Sequence, residues 1–199
     1  MRVGIISTTT SNEASVAFAL QRLGVSPKIL TKPSQMSGID RFILPGVGSA
    51  SRAMEALKAT EMDRAIRDLD RPLLGICLGM QILFEYSMED ECACLGILEG
   101  RVEPLPAAPD FRIPHMGWNR LQFSAGASVL LNGIRPGEHM YFVHSYYHPA
   151  SSSTLATCEY SQTISAVVGK GHIFGCQFHP ERSAKTGKKF LQNFLEVSC

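Results

Sequence analysis

The sequence predicts an α/β domain: a mostly parallel central sheet flanked by helices, with an antiparallel extension. Three observations carry this. The first half alternates short apolar runs with segments of helical period, the pattern of βαβ units. The second half strings strand-like segments together without helices between them, which suggests antiparallel additions to the sheet. The chain closes on an amphipathic helix.

In order, residues 2–7 read as a first buried strand. Residues 12–23 place Val16, Ala19, Leu20 and Leu23 at helical spacing and stop at Gly24, a residue that ends helices. Residues 27–30 form a short strand, and residues 41–44 another that runs into the turn Pro45-Gly46-Val47-Gly48. Residues 50–57 and 62–69 are helical. An apolar run then enters Cys77 and a helical pattern (Leu78, Gln81, Ile82, Glu85) leaves it. Further strands are expected at 118–123, 139–148, 155–160, 164–168 and 172–178, parted by turns such as Asn132-Gly133 and Gly169-Lys170-Gly171. Residues 183–197 form the last helix, with Phe190, Leu191, Phe194 and Leu195 on its apolar face.

With 199 residues and 45% hydrophobic composition, the chain is long enough for one domain, residues 1–199, with a sizeable core. Its formal net charge of +1 offers no basic field for nucleic acid. No apolar run is long enough to span a bilayer. Met1-Arg2 leads directly into Val3-Gly4-Ile5-Ile6 without a signal-peptide cleavage pattern, so a cytoplasmic location is the expectation. The six cysteines, Cys77, Cys92, Cys94, Cys158, Cys176 and Cys199, are then expected as reduced thiols. Cys92 and Cys94 lack a second pair or a nearby histidine, so no metal site and no cofactor is expected.

Two motifs carry chemistry. In Gly75-Ile76-Cys77-Leu78-Gly79-Met80-Gln81 a cysteine stands between glycines at a strand-to-helix junction, the pattern of a nucleophile elbow. The strained backbone of such a turn needs small neighbours, and a helix N-terminus beside the sulfur favours thiolate. A cysteine nucleophile needs a base, and the base an orienting group. Far downstream, His179-Pro180-Glu181 places a histidine and a carboxylate two residues apart at a strand end. None of His115, His139, His144, His148 and His172 has a carboxylate at that offset.

Together these motifs resemble the class I glutamine amidotransferases. Within that family, Pro114-His115-Met116-Gly117-Trp118-Asn119, Pro45-Gly46-Val47-Gly48 and His179-Pro180-Glu181-Arg182-Ser183 resemble the glutaminase subunits that serve a (βα)8-barrel cyclase in histidine biosynthesis. The resemblance covers nearly the whole chain and implies a flavodoxin-like fold. It implies Cys77 as nucleophile, His179 as proton shuttle and Glu181 as its orienting carboxylate, the logic of Ser-His-Asp triads. Oxyanion donors would come from Val47, Gly48 and Leu78. Glutamine would be held by Gln81, Glu89, Ser145 and Tyr146. Asn12, Pro114, His115, Met116, Gly117 and Trp118 would face the partner in a heterodimer; no nucleic acid or membrane partner is implied.

One segment departs from the subfamily. Where its members usually carry Asp-Tyr-Gly-x-Gly-Asn-Leu-x-Ser-Val, this chain has Ser7-Thr8-Thr9-Thr10-Ser11-Asn12-Glu13-Ala14-Ser15-Val16. The run of β-branched residues is stiffer than glycines, and partner coupling rather than catalysis is the expected casualty. The departure keeps two rivals open: a paralogous glutaminase feeding another synthase, such as a sugar-aminating one, and a catalytically silent regulatory subunit. A related cysteine hydrolase is disfavoured by Gln81 and by the 114–119 segment.

Overall fold

The computed structural model describes residues 1–8, 12–124 and 126–197. Its first half alternates as expected: β1 (Val3–Ile6), α1 (Glu13–Gln21), β2 (Lys28–Leu30), β3 (Arg41–Gly46), α2 (Ala50–Ala59), α3 (Met62–Arg67), β4 (Leu73–Cys77) and α4 (Leu78–Gln81). Short strands β5 (Tyr86–Ser87), β6 (Cys92–Ala93) and β7 (Arg101–Pro104) follow. Then come β8 (His115–Arg120), β9 (His139–His144), β10 (Tyr146–Tyr147), β11 (Thr154–Tyr160), β12 (Gln162–Lys170), β13 (Ile173–Cys176) and α5 (Ala184–Leu195).

Seven strands make the central sheet in the order β11-β12-β13-β4-β3-β1-β2. Strands β2, β1, β3, β4 and β13 run parallel, and β12 and β11 add antiparallel. Strands β1, β4 and β13 are buried throughout, which is why they read as continuous apolar runs rather than alternating ones. On one face, Val16, Ala19 and Leu20 of α1 and Phe190, Leu191 and Phe194 of α5 pack on Ile5, Ile43 and Ile76. On the other, Met54 and Leu57 of α2 and Met62 and Ile66 of α3 pack on Phe42, Leu44 and Leu73. Each fully buried side chain of this size contributes roughly 1.5–3 kcal/mol relative to exposure, so the three on α5 suffice to dock it.

Four details differ from the sequence reading. Strand 172–178 was expected among the antiparallel additions, yet β13 pairs parallel with β4, Ile173 opposite Leu73. Its unbroken apolar run suits that interior place. Segments 118–123 and 139–148 add no strand to the central sheet, which the first meets through an isolated bridge from Gln122 to Thr157 of β11. Strands β8 and β9 form their own antiparallel ribbon, and the second segment breaks at Ser145 so that β10 pairs with β7. Pro45 and Gly46 belong to β3, opposite Ile76 and Cys77, so the turn begins at Val47. The helix after Cys77 is a single turn. Ile82, Leu83 and Phe84 leave it and bury in the second core.

Candidate active site

Strands β3, β4 and β13 are neighbours, and their carboxyl ends deliver the site, the usual place for ligands in an open α/β sheet. Cys77 has φ 54° and ψ −110°, a left-handed conformation that costs a non-glycine residue about 1–3 kcal/mol. The surroundings enforce it. A Cβ on Gly79 would lie 1.7 Å from the Leu44 carbonyl oxygen, and one on Gly75 would lie 2.6 Å from the Gly79 carbonyl oxygen. Only glycines let the elbow turn this tightly against β3. Because α4 is four residues long, the dipole anticipated for a full helix reduces to the N–H groups of one turn.

After β13 the chain passes through Gln177 and Phe178 to His179. Phe178 is fully buried and packs edge-on against Phe142 and Phe190. The His179 backbone is clamped at both ends: its N–H donates to Tyr141 O at 2.8 Å, and its carbonyl accepts from Ser183 Oγ at 2.7 Å. On this fixed frame His179 Nδ1 lies 2.8 Å from Glu181 Oε1, with the two side chains 4% and 1% exposed. A carboxylate only accepts, so Nδ1 carries the hydrogen and Nε2 is left to work on a ligand. Among the described residues Nε2 has no hydrogen-bond partner within the usual distance, while Cys77 lies near enough to act on the charge of the ring. Burial opposes a charged ring; the nearby Cys77 and Glu181 outweigh it and raise the imidazole to about 10.

Cys77 and His179 share a cavity of about 310 Å³. That is near the lower end of small-molecule sites, about 300–1,000 Å³, and suits one amino acid. Of its lining, Val47, Gly48, Cys77, Leu78, Gln81, Glu89, Pro114, Ser145, Tyr146 and His179 were all singled out in the sequence; Val143 and His144 were not. Gly48 has φ 94°, a conformation open to glycine. Glu89 Oε2 accepts the Ala50 N–H at 3.0 Å, so its carboxylate sits at the start of α2, just beyond the Val47–Gly48 turn; burial raises its pKa. Gln81 Nε2 donates to Tyr146 O at 2.8 Å and to Gln177 Oε1 at 3.0 Å. Both amide hydrogens are thereby used, which leaves Oε1 as the acceptor end of Gln81.

His144 of the cavity lining belongs to a buried histidine pair. His144 Nδ1 contacts Tyr146 O at 2.9 Å, His144 Nε2 contacts His115 Nδ1 at 2.9 Å, and His115 Nε2 faces Asn119 Nδ2 at 3.3 Å. The Tyr146 carbonyl requires a hydrogen on His144 Nδ1, which sets the tautomers down the row: both rings are neutral. Burial lowers His115 to about 4 and His144 to about 3.

The remaining residues of the expected partner face divide. Met116 and Trp118 are 63% and 53% exposed, and Trp118 stands edge-on to Tyr141. Gly117 is half-buried, Pro114 lines the cavity and His115 is buried. Asn12 reaches inward, where its Nδ2 donates to Glu181 Oε1 at 2.9 Å. Thr9, Thr10 and Ser11 of the departing segment lie outside the described residues.

The sequence reading missed Gln177, which is fully buried with Nε2 3.8 Å from Cys77 Sγ. It also missed the Val143 carbonyl, 3.7 Å from the same sulfur. A signal for Gln177 existed: it stands two residues before His179, the offset at which an extended chain presents side chains on one side.

Residues 5–197 match the family described as glutamine amidotransferase class-I. The chain is 48% identical over 197 residues to imidazole glycerol phosphate synthase subunit HisH of Xylella fastidiosa, covering 99% of this chain and 98% of that protein. It is 45% identical over 201 residues to the HisH subunit of Vibrio cholerae, covering 98% of each. Among solved structures, one titled as a glutamine amidotransferase superposes with a TM-score of 0.75 at 20% identity, over 98% of each chain. PurLQS from Thermotoga maritima superposes with a TM-score of 0.71 at 22% identity, over 98% of this chain and 97% of that one; at such identities the likeness is one of fold. The elbow cysteine, the histidine–carboxylate pair and the near full-length match to curated relatives therefore agree: the chain belongs to the class I glutamine amidotransferases.

Proposed function

We propose that this chain is the glutaminase subunit of an imidazole glycerol phosphate synthase. It hydrolyses glutamine to glutamate and ammonia through a Cys77 thioester. It delivers the ammonia to a (βα)8-barrel cyclase subunit, its partner in a cytoplasmic heterodimer. The observation that carries the reading is Cys77, on its strained elbow, opening into the same amino-acid-sized cavity as the His179–Glu181 pair. The identity of 45–48% to HisH subunits supports the choice of synthase over a sugar-aminating paralogue.

In this reading Cys77 Sγ, having already passed its proton to His179 Nε2, attacks the carboxamide carbon. N–H groups at Val47, Gly48 and Leu78 meet the tetrahedral oxyanion. Collapse expels ammonia, which takes the proton from His179 and leaves a glutamyl thioester. His179 then takes a proton from the water that attacks the thioester, and the proton returns to the departing Cys77 sulfur. Glu181 keeps the hydrogen on Nδ1 throughout. Glu89 and Gln81 Oε1 receive the substrate ammonium, and the Ser145–Tyr146 strand end holds the rest of the amino acid. Ammonia is mostly ammonium near neutral pH, so release into a closed passage to the partner preserves the nucleophile. Met116 and Trp118 supply exposed anchors for that interface.

The test is a glutamine-like diazo-ketone. It should label Cys77 and abolish glutaminase activity, and Cys77→Ala should be neither labelled nor active. Full activity in Cys77→Ala would sink the assignment. Mixing with a barrel cyclase should yield glutamine-dependent product; failure to bind any such cyclase would leave a glutaminase without this synthase role.

A further inference from the structure

We propose that Gln177 is a catalytic hydrogen-bond donor to the Cys77 thiolate, and that its polarity is set two side chains away by the Tyr146 carbonyl. The inference rests on Cys77 being the attacking group. It starts from an atom that cannot be reversed. The Tyr146 carbonyl only accepts, so the Gln81 atom 2.8 Å from it is Nε2. That nitrogen's other hydrogen points to Gln177 at 3.0 Å, which must answer with its oxygen. The other end of the Gln177 amide is therefore Nε2, and it faces Cys77 Sγ at 3.8 Å. Both glutamines are buried. A flipped Gln177 would set two N–H groups against each other and leave a buried oxygen beside the thiolate, which is costly where water does not compete.

The donor has a specific opponent. The Val143 carbonyl lies 3.7 Å from the same sulfur, and a carbonyl accepts from a thiol but repels a thiolate. Gln177 supplies the balancing N–H. No proton moves from Gln177; the bond strengthens as charge gathers on sulfur and weakens once sulfur is acylated. The arrangement also joins substrate recognition to the nucleophile, because Gln81, which meets the ligand, holds the amide that steadies the sulfur.

The experiment uses the full chain and reads alkylation of Cys77 by iodoacetamide against pH, with peptide mass spectrometry separating Cys77 from the other cysteines. In Gln177→Met the rate at neutral pH should fall about tenfold, the worth of a hydrogen bond to a charged group, and recover in alkaline solution. Glutamine turnover should lose kcat more than KM. Gln81→Met, which removes the lock on the amide's orientation but not the donor itself, should slow neutral alkylation less than Gln177→Met. A Gln177→Met rate depressed equally at every pH, or unchanged, overturns the proposal. Should Gln177→Met fail to fold, the native chain still decides. The side-chain amide proton resonances of Gln177 should differ between wild type and Cys77→Ala, and identical resonances overturn it. If the diazo-ketone labels Cys77 while these readouts stay flat, this inference alone fails; if it does not label Cys77, the nucleophile assignment fails with it.

Discussion

Asn12 donates its side-chain amide to Glu181 Oε1 at 2.9 Å, the same oxygen that receives His179 Nδ1 at 2.8 Å. Asn12 was expected on the partner face, and its side chain instead holds the carboxylate that pairs with His179. A change at Asn12 therefore reaches the His179–Glu181 pair directly. Asn12→Ala should lower isolated glutaminase activity about tenfold to a hundredfold, the range of one hydrogen bond to a charged group. Asn12→Asp should cost more, because it sets a second carboxylate against Glu181. Diazo-ketone labelling rates of Cys77 in the isolated subunit check this; an unchanged rate in both variants removes Asn12 from the site.

His179 and Glu181 should behave as one unit. Glu181→Ala should reduce glutaminase less than His179→Ala, since it orients the ring without carrying the proton. The double variant should be little worse than His179→Ala alone. Losses that multiply would show two independent contributions. External ammonia should sustain the synthase reaction of the complex in all three.

The neutral His115–His144 pair should make the fold acid-sensitive. In the unfolded chain both rings take up protons as pH falls through 6.5; in the folded chain they do so only near 4 and 3, chiefly because they are buried. The unfolded state therefore binds more protons in between. Stability is full above about 6.5 and declines toward pH 4 by roughly 1 kcal/mol per unit for each histidine. His179 is raised instead, and its contribution declines only as pH rises from 6.5 toward 10, outside this window. Urea midpoints measured from pH 7 to pH 4.5 should fall more steeply in wild type than in His115→Gln, which keeps an amide beside His144 without titrating. Parallel slopes would argue that the pair is not held neutral.

Gly79→Ala should destabilise the chain by about 3 kcal/mol or more, beyond ordinary overpacking, because its Cβ would sit 1.7 Å from the Leu44 carbonyl oxygen. Glutaminase activity should vanish with it, since the elbow has to open to make room. Gly24→Ala is the contrast: its Cβ would meet nothing within 4 Å, and only its left-handed φ of 79° resists the change. Thermal midpoints of the two variants decide; equal losses would refute a steric requirement at Gly79.

What the sequence determined by itself was whatever is written locally. The apolar runs of β1, β3 and β4 and the periodic faces of α1 and α5 are patterns of residues a few positions apart, and the glycines around Cys77 belong to one short motif. The pairing of His179 with Glu181 spans two residues, so it too was legible. Only the tertiary structure decided what the ends of separate strands would meet. Gln177 reaches Cys77 across 100 residues, Asn12 reaches Glu181 across 169, and His115 reaches His144 across 29. No local pattern encodes such contacts, because they depend on strand order: β13 pairing parallel with β4 is what sets Gln177 beside Cys77. Two-residue strands such as β5, β6 and β10 are too short to show a period of two. The single turn of α4 likewise overrode its helical pattern, because burying Ile82, Leu83 and Phe84 in the second core outweighs another turn of helix. The chemistry was therefore readable in the residues, while its electrostatic support was set by which strands became neighbours.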